Sequence, residues 1–292
     1  MKRKITLSII SILSIIGCKD KKVASQQSSN QKIENTDTIN SRNTPLTLEN
    51  SSTSEQLLQL FSQKKKSVSE QLRNISKNEA NELYETYFKD NQLILSKLSQ
   101  AEDPLLEKFY EEDLPTKNLI KKKEKELSTY ELEFDELGEG MVEIKTNHDF
   151  YYKIFKDKVT DDYKDYLEII KNENKTTYSS DAGLVISFKE LGDRIVVWEK
   201  FIAKYPDSKL IESVKETYRE YQKDYLLGMD NTPTIERANP ENLYIYPENI
   251  EEFNRFKKVY PTSATNKLIQ IFLENFKDEE VYDLIEKEQR NF

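Results

Sequence analysis

The sequence predicts a mainly α-helical protein, built as an array of antiparallel helical hairpins with one small β-hairpin near residues 130–144. Glycine is scarce, because residues 53–292 contain only five, while Lys, Glu and Leu, which favour helices, are abundant. Apolar residues there recur at spacings of three and four, which is typical of a helix with one buried face. A Tyr-Pro-x-Ser sequence begins at Tyr205 and again at Tyr260, and each proline would end a helix.

The first 17 residues have the pattern of a secretory signal peptide. A basic segment, Lys2–Lys4, precedes an apolar stretch that ends just before Cys18, the only cysteine. This stretch of about a dozen residues is shorter than the roughly 20 needed to span a bilayer, although an uncleaved anchor is the alternative. The segment Ile15–Cys18 resembles the lipobox of bacterial lipoproteins, and the charged residues after it resemble those of Bacteroidota lipoproteins. The resemblance implies cleavage before Cys18 and lipidation of its side chain.

The same resemblance implies an envelope protein that is anchored to the outer membrane through lipid at Cys18. Two or more acyl chains anchor a protein stably, whereas one chain binds only marginally. Acidic residues after the cysteine favour surface display in this group, but Lys21 and Lys22 occur here. We therefore expect the protein to face the periplasm, with surface display as the alternative. Residues 18–52 are polar, so we expect a disordered tether with a reach of roughly 30–35 Å before a helical domain at residues 53–292.

The acidic composition argues against a nucleic-acid partner. The chain has 44 Lys and Arg against 53 Asp and Glu, a net charge of −9, which becomes about −12 without residues 1–17. Binding to phosphates requires a clustered excess of basic residues. Acylation of Cys18 would leave no thiol, and His148 is the only histidine, which disfavours most zinc sites and His-based catalysis. We therefore expect no cofactor, no metal and no catalytic residue.

Two amphipathic helices are predicted first, one beginning near Ser54 and one around residues 80–98. Pro104 and Pro115 interrupt the pattern that follows and predict breaks. Apolar residues then alternate with Glu before and after Gly138–Gly140, which is a strand period around a turn. We interpret it as a β-hairpin packed on the helices, since two strands alone are marginally stable, with an irregular loop as the alternative.

The clearest helical hairpins are predicted at residues 181–228 and 247–277. In the first, an apolar stripe runs from Leu184 to the first Tyr-Pro, and a second stripe ends at Gly228. The second hairpin repeats the order of key residues. Trp198, Phe201, Tyr205, Pro206 and Ser208 align with Phe253, Phe256, Tyr260, Pro261 and Ser263. We expect one continuous array, with separate domains at residues 53–180 and 181–292 as the alternative.

This aromatic and Tyr-Pro-x-Ser pattern resembles the turn between helices of tetratricopeptide-like repeats. Outer-membrane assembly lipoproteins often carry a similar turn. The resemblance covers roughly residues 195–280 and implies stacked helical hairpins, although the period of about 55 residues here differs from the 34 of that family.

The segment between the two hairpins is rich in turn-forming residues and offers candidate contact residues. Asp230, Asn231, Tyr244 and Tyr246 lie in this segment, which predicts either a structural connector or a loop that contacts a partner. Of the adjacent Tyr151 and Tyr152, one is expected to face inward, and the other is a candidate contact residue. We expect an interaction module that binds an envelope protein. The first alternative is a glycan- or nutrient-binding lipoprotein that uses exposed tyrosines, and the second is a carboxylate-dependent hydrolase.

Overall fold

The computed structural model describes residues 52–238 and 240–291, and this part of the chain is mainly helical. The mainly α-helical class predicted from the sequence is therefore confirmed, with short antiparallel two-stranded sheets between helices. The predicted signal peptide at residues 1–17, the lipidation site at Cys18 and the predicted tether up to Ser51 lie outside the described residues.

The regular structure of the described part of the chain consists of ten α-helices, eight short strands and one 3-10 helix at Pro240–Asn242. The helices are α1 (Ser54–Gln71), α2 (Lys77–Leu106), α3 (Leu114–Ser128), α4 (Phe150–Phe155), α5 (Asp161–Glu173), α6 (Phe188–Lys204), α7 (Ile211–Leu227), α8 (Pro247–Val259), α9 (Thr265–Asn275) and α10 (Val281–Gln289). The strands are β1 (Leu132–Gly138), β2 (Met141–Thr146), β3 (Ser179–Ser180), β4 (Gly183–Leu184), β5 (Gly228–Met229), β6 (Thr232–Pro233), β7 (Ile235–Glu236) and β8 (Tyr244–Ile245).

The first two helices pack against each other, and each begins with a capping box. Thr53 caps α1 and Ser76 caps α2, and the side chain three positions later bonds back to the cap in both cases. The predicted break at Pro104 is wrong, because α2 continues through it to Leu106. Pro104 stands in the last turn of α2, and the one intrahelical hydrogen bond that its missing N–H removes is a small part of a 30-residue helix. Pro115 lies in the first turn of α3, where no N–H is needed.

The predicted β-hairpin is confirmed, with β1 paired to β2 in antiparallel register. Its turn, Gly138–Gly140, has positive φ at all three residues, a conformation that glycine adopts at little cost. Leu132 and Ile144 are buried, and the Ile144 N–H donates to Ser99 Oγ on α2 at 2.9 Å. The helix therefore supplies the packing that an isolated two-stranded sheet lacks.

In the C-terminal half, α6 packs on α7 across a short turn, and α8 packs on α9 in the same way. Helix α8 also lies on α6, and α9 lies on α7. The core between them contains the fully buried Trp198, Tyr225, Phe253 and Phe256. A Cβ at Gly192 would come within 3.0 Å of the Tyr225 ring and 3.1 Å of the Phe256 ring. The absence of a side chain at Gly192 therefore permits this close packing.

The beginning of the hairpin predicted at residues 181–228 is not helical. Leu184 belongs to β4, and α6 begins only at Phe188. Residues 181–182 adopt positive φ in the turn between β3 and β4, a conformation that interrupts a helix. The predicted end of the hairpin at Gly228 is confirmed, since this residue follows α7 with a φ of 73°.

The first Tyr-Pro-x-Ser turn, between α6 and α7, is fixed to α5 by two side-chain hydrogen bonds. Tyr205 Oη donates to Asp165 Oδ2 at 2.7 Å, and Ser208 Oγ donates to Asp162 Oδ2 at 2.5 Å. Within the turn, the Ser208 N–H donates to the Tyr205 carbonyl at 3.1 Å. Hydrogen bonds to ionised acceptors are roughly twice as strong as neutral ones, so these contacts orient the turn firmly.

The second Tyr-Pro-x-Ser turn, between α8 and α9, makes the equivalent contacts with α6. Tyr260 Oη donates to Asp193 Oδ1 at 2.9 Å, and Ser263 Oγ donates to Glu199 Oε2 at 2.5 Å. The Ala264 N–H adds a third bond to Glu199, at 2.8 Å. Both turns thus use a tyrosine and a serine to bond two carboxylates on a helix that precedes them in the chain.

An earlier turn, between α4 and α5, is fixed to α2 by a related contact. The Thr160 N–H donates to Asn81 Oδ1 at 3.1 Å, and Asn81 Nδ2 donates to Thr160 Oγ1 at 2.7 Å. Because α5 in turn packs on α6, these contacts connect the two halves, and the described residues belong to one compact unit.

We predict that Ser263→Ala destabilises the fold by about 1–2 kcal/mol, because it leaves a half-buried carboxylate oxygen of Glu199 without its donor. Urea unfolding followed by circular dichroism measures this difference. Ser69→Ala is the matched control, because Ser69 Oγ donates only to the Lys65 carbonyl on the exposed face of α1. Equal midpoints for the Ser263 variant and wild type would show that the turn contact adds no stability.

Candidate functional site

A groove with a volume of about 180 Å³ lies between α6, α7 and the start of α9. Its apolar wall consists of Ile202, Ala203, Tyr218 and Ala264. The two alanines stand where the helices meet the second Tyr-Pro-x-Ser turn, and their small side chains leave the space unfilled. The Tyr218 ring is buried and its hydroxyl lies 3.4 Å from Thr265 Oγ1, so the floor of the groove is fixed.

Three charged residues complete the groove: Glu199, Lys215 and Arg219. The Glu199 carboxylate is occupied by the turn before α9, as described above. Lys215 and Arg219 stand one helical turn apart on α7, so they share one face of the helix. Neither side chain has a hydrogen bond or ion pair to any other residue in the described part of the chain. The wall of the groove is therefore almost wholly apolar, and two basic residues without an ion-pair partner among the described residues are among those that line it.

Two half-buried carboxyl groups, outside the groove lining, have raised pKa values. Burial raises the pKa of Glu173 to about 7, and Tyr221 Oη donates to its Oε2 at 3.0 Å. Burial also raises the pKa of Asp224 to about 6, and Tyr178 Oη donates to it at 3.3 Å. The rings of Tyr178 and Tyr221 are 4.9 Å apart. Carboxyl groups with raised pKa values are what a hydrolase would require, but each of these accepts a hydrogen bond from a different tyrosine.

The four candidate contact residues form two separate pairs. The Asn231 N–H donates to the Ala182 carbonyl at 2.9 Å, so the 230–231 turn is tied to the hairpin at residues 179–184. Tyr244 and Tyr246 have ring centroids 5.8 Å apart, and Tyr246 Oη donates to Glu236 Oε2 at 2.9 Å. No hydrogen bond or ring contact between described residues joins Asp230 or Asn231 to the tyrosines.

The adjacent tyrosines of α4 occupy different surroundings. The Tyr151 ring packs edge-on against Tyr84 and Tyr87, with centroids 5.9 Å apart in both cases. The Tyr152 ring instead lies 4.1 Å from Lys171 Nζ, a cation–π contact. Tyr151 therefore faces the aromatic core, and Tyr152 faces a helix surface. His148 lies in the turn that precedes α4.

The groove residues Lys215 and Arg219 were not identified from the sequence. The available signal was a pair of basic residues four positions apart, next to the apolar stripe of α7, in a chain with more acidic than basic residues. Such pairs are common on exposed helix faces, where they usually bond to nearby acids. Only the packed positions of α6 and α9 show that this pair borders an apolar groove.

Residues 52–238 and 240–291 contain no group of three or more His, Cys, Asp or Glu side chains arranged to hold a metal ion. Within these same residues, no helix has both the length and the apolar character needed to cross a membrane. Comparison of the chain with protein-family models, with curated proteins and with solved structures finds no match. Function is therefore inferred from the sequence patterns and from the geometry of the groove.

We predict that the free energy of unfolding decreases by up to about 3 kcal/mol between pH 5 and pH 8, because Glu173 takes up its proton more readily in the folded state than in the unfolded chain. The stabilisation is complete below the ordinary Glu pKa of 4.5 and is lost as the pH rises through about 7. Asp224 adds a second stabilisation of the same sign, which is lost as the pH rises through about 6.

Glu173→Gln should remove most of this dependence, since glutamine can still accept from Tyr221 but does not titrate. Urea unfolding at pH 5, 6, 7 and 8 measures the effect. Glu168→Gln, an exposed position on the same helix, is the control and should keep the wild-type profile. A Glu173→Gln profile as steep as that of wild type would exclude Glu173 as the titrating group.

Proposed function

We propose that this protein is a lipid-anchored, non-catalytic interaction module of the bacterial cell envelope, built from tetratricopeptide-like helical hairpins. The observation that carries this proposal is the stacking of two helix pairs through equivalent Tyr-Pro-x-Ser turns, with an open groove beside the second turn. Stacked helical pairs present extended binding surfaces, and this function requires no catalytic group.

The tetratricopeptide-like arrangement is supported by matching positions in the two helix pairs. Phe201 and Tyr205 have ring centroids 5.1 Å apart, and so do Phe256 and Tyr260. Gly192 supplies a position without a side chain where helices approach closely. The spacing of about 55 residues means that additional chain, including the short strands at residues 228–245, is inserted between the pairs.

The location rests on the sequence around Cys18. A basic start, an apolar stretch and a lipobox-like segment together favour lipidation, with the domain facing the periplasm from the outer membrane and surface display as the alternative. Anchoring confines the protein to one membrane, which raises the effective concentration of any partner held there. An envelope protein is therefore the expected partner.

We predict that wild-type protein incorporates an alkyne-labelled fatty acid in its bacterial host and that Cys18→Ala does not, because this cysteine is the only thiol. Click labelling and gel fluorescence measure the incorporation. The same cells, treated with a mild crosslinker, should give one reproducible crosslinked envelope protein with wild type and far less with Cys18→Ala. Label on the Cys18 variant would exclude the anchor, and the absence of any crosslinked protein in both strains would argue against an interaction module.

A second candidate function, glycan binding, is favoured by Tyr244. This residue is 42% exposed and its ring pairs edge-on with Tyr246, an arrangement that can stack on a sugar ring. We predict that, if this site binds glycans, Tyr244→Ala weakens binding on a glycan array about tenfold or more, whereas Tyr282→Ala does not. Tyr282 is the control because it is similarly exposed, at 44%, but lies on α10. A wild-type protein that binds no glycan on the array would exclude this candidate.

A further inference from the structure

We propose that the groove between α6, α7 and the start of α9 binds an acidic peptide segment that inserts one bulky apolar side chain. This inference rests on the proposed interaction function and names the kind of partner. The apolar side chain would contact Ile202, Ala203 and Tyr218, and the flanking carboxylates would pair with Lys215 and Arg219.

The size of the groove favours a single side chain over a larger ligand. Its volume is about 180 Å³, whereas sites for cofactors and other small molecules are typically about 300–1,000 Å³. Protein interfaces, in contrast, are commonly anchored by one aromatic or aliphatic residue in a small, well-packed pocket. The groove therefore fits the anchor residue of a peptide.

The charges of the groove favour acidic residues beside that anchor. Lys215 and Arg219 have no ion-pair partner among the described residues, although the chain as a whole has more acidic than basic residues. Glu199 is the only acid in the groove wall, and its carboxylate already accepts from Ser263 and Ala264. Because the wall itself is apolar, a carboxylate beside the anchor would pair with Lys215 and Arg219 outside the apolar space, and the oxygens of the one anion, Glu199, are already occupied.

The groove is also preorganised, which reduces the entropic cost of binding. Tyr218 is buried, and the second Tyr-Pro-x-Ser turn holds Ala264 against α6 through Glu199. Ala203 is exposed at the opening, so a larger side chain at this position would fill the groove without entering the core. The position is thus suited to a blocking substitution.

The proposal is tested by selecting binders from a displayed library of random 12-residue peptides, using the full-length chain purified in detergent. We expect the enriched peptides to contain an aromatic or large aliphatic residue flanked by Asp or Glu. A synthetic, fluorescein-labelled peptide of the enriched sequence then gives the dissociation constant by anisotropy. Enrichment of basic or purely polar peptides, or no enrichment, would overturn the proposal.

Variants of the groove locate the binding. The double variant Lys215→Ala with Arg219→Ala should weaken binding about tenfold or more, and Ala203→Phe should weaken it similarly by blocking the apolar floor. The control, Lys200→Ala with Lys258→Ala, removes the same charge at exposed positions outside the groove and should bind like wild type. Equal weakening by the groove and control variants would show that binding depends only on the net charge of the protein, and this would overturn the proposal.

Two further results distinguish this inference from the proposed function. If the crosslinked envelope protein is recovered equally with wild type and the double groove variant, the groove proposal fails while the interaction module stands. If anionic phospholipid vesicles bind in a manner that depends on Lys215 and Arg219 and the peptide does not bind, the groove contacts a membrane surface and the peptide proposal is overturned.

Discussion

The arrangement of this protein depends on the hydrogen bonding of inter-helix turns to polar side chains on earlier helices. A turn has backbone and hydroxyl groups that lose water when helices pack around it, and an unpaired buried polar group is costly. Asn81 on α2, Asp162 and Asp165 on α5, and Asp193 and Glu199 on α6 accept these bonds. Because each contact sets where the next helix begins, it also sets the spacing between neighbouring helices.

Aromatic packing fills the space that these contacts define. Trp198, Tyr225, Phe253 and Phe256 meet in one buried cluster, and neighbouring rings such as Tyr225 and Phe253 lie 5.3 Å apart in an edge-on arrangement. These rings fill the space at the helix crossing, and a side chain at Gly192 would collide with them. The groove beside Ala203 and Ala264 is the contrasting case, in which small side chains face an opening that no neighbour fills.

Helices with a clear apolar stripe were predictable from the sequence, and so was the β-hairpin, because its period and its glycine turn agree. The break predicted at Pro104 was wrong, since α2 is long and packed enough to continue through one missing hydrogen bond, which the local sequence does not reveal. The turn between β3 and β4 could not be predicted from the sequence, because two residues other than glycine, Asp181 and Ala182, adopt positive φ there. The groove could not be predicted, because its wall is assembled from α6, α7 and α9, and its charges matter only through neighbours distant in the chain.

The turn contacts also follow the order of residues along the chain. In each contact the helix side chain precedes the turn that it holds: residue 81 precedes residue 160, residues 162 and 165 precede 205 and 208, and residues 193 and 199 precede 260 and 263. A polypeptide that emerges N-terminus first therefore presents each docking side chain before the turn that bonds to it. The order of the residues therefore makes the helix that receives each turn available before the turn itself is added to the chain.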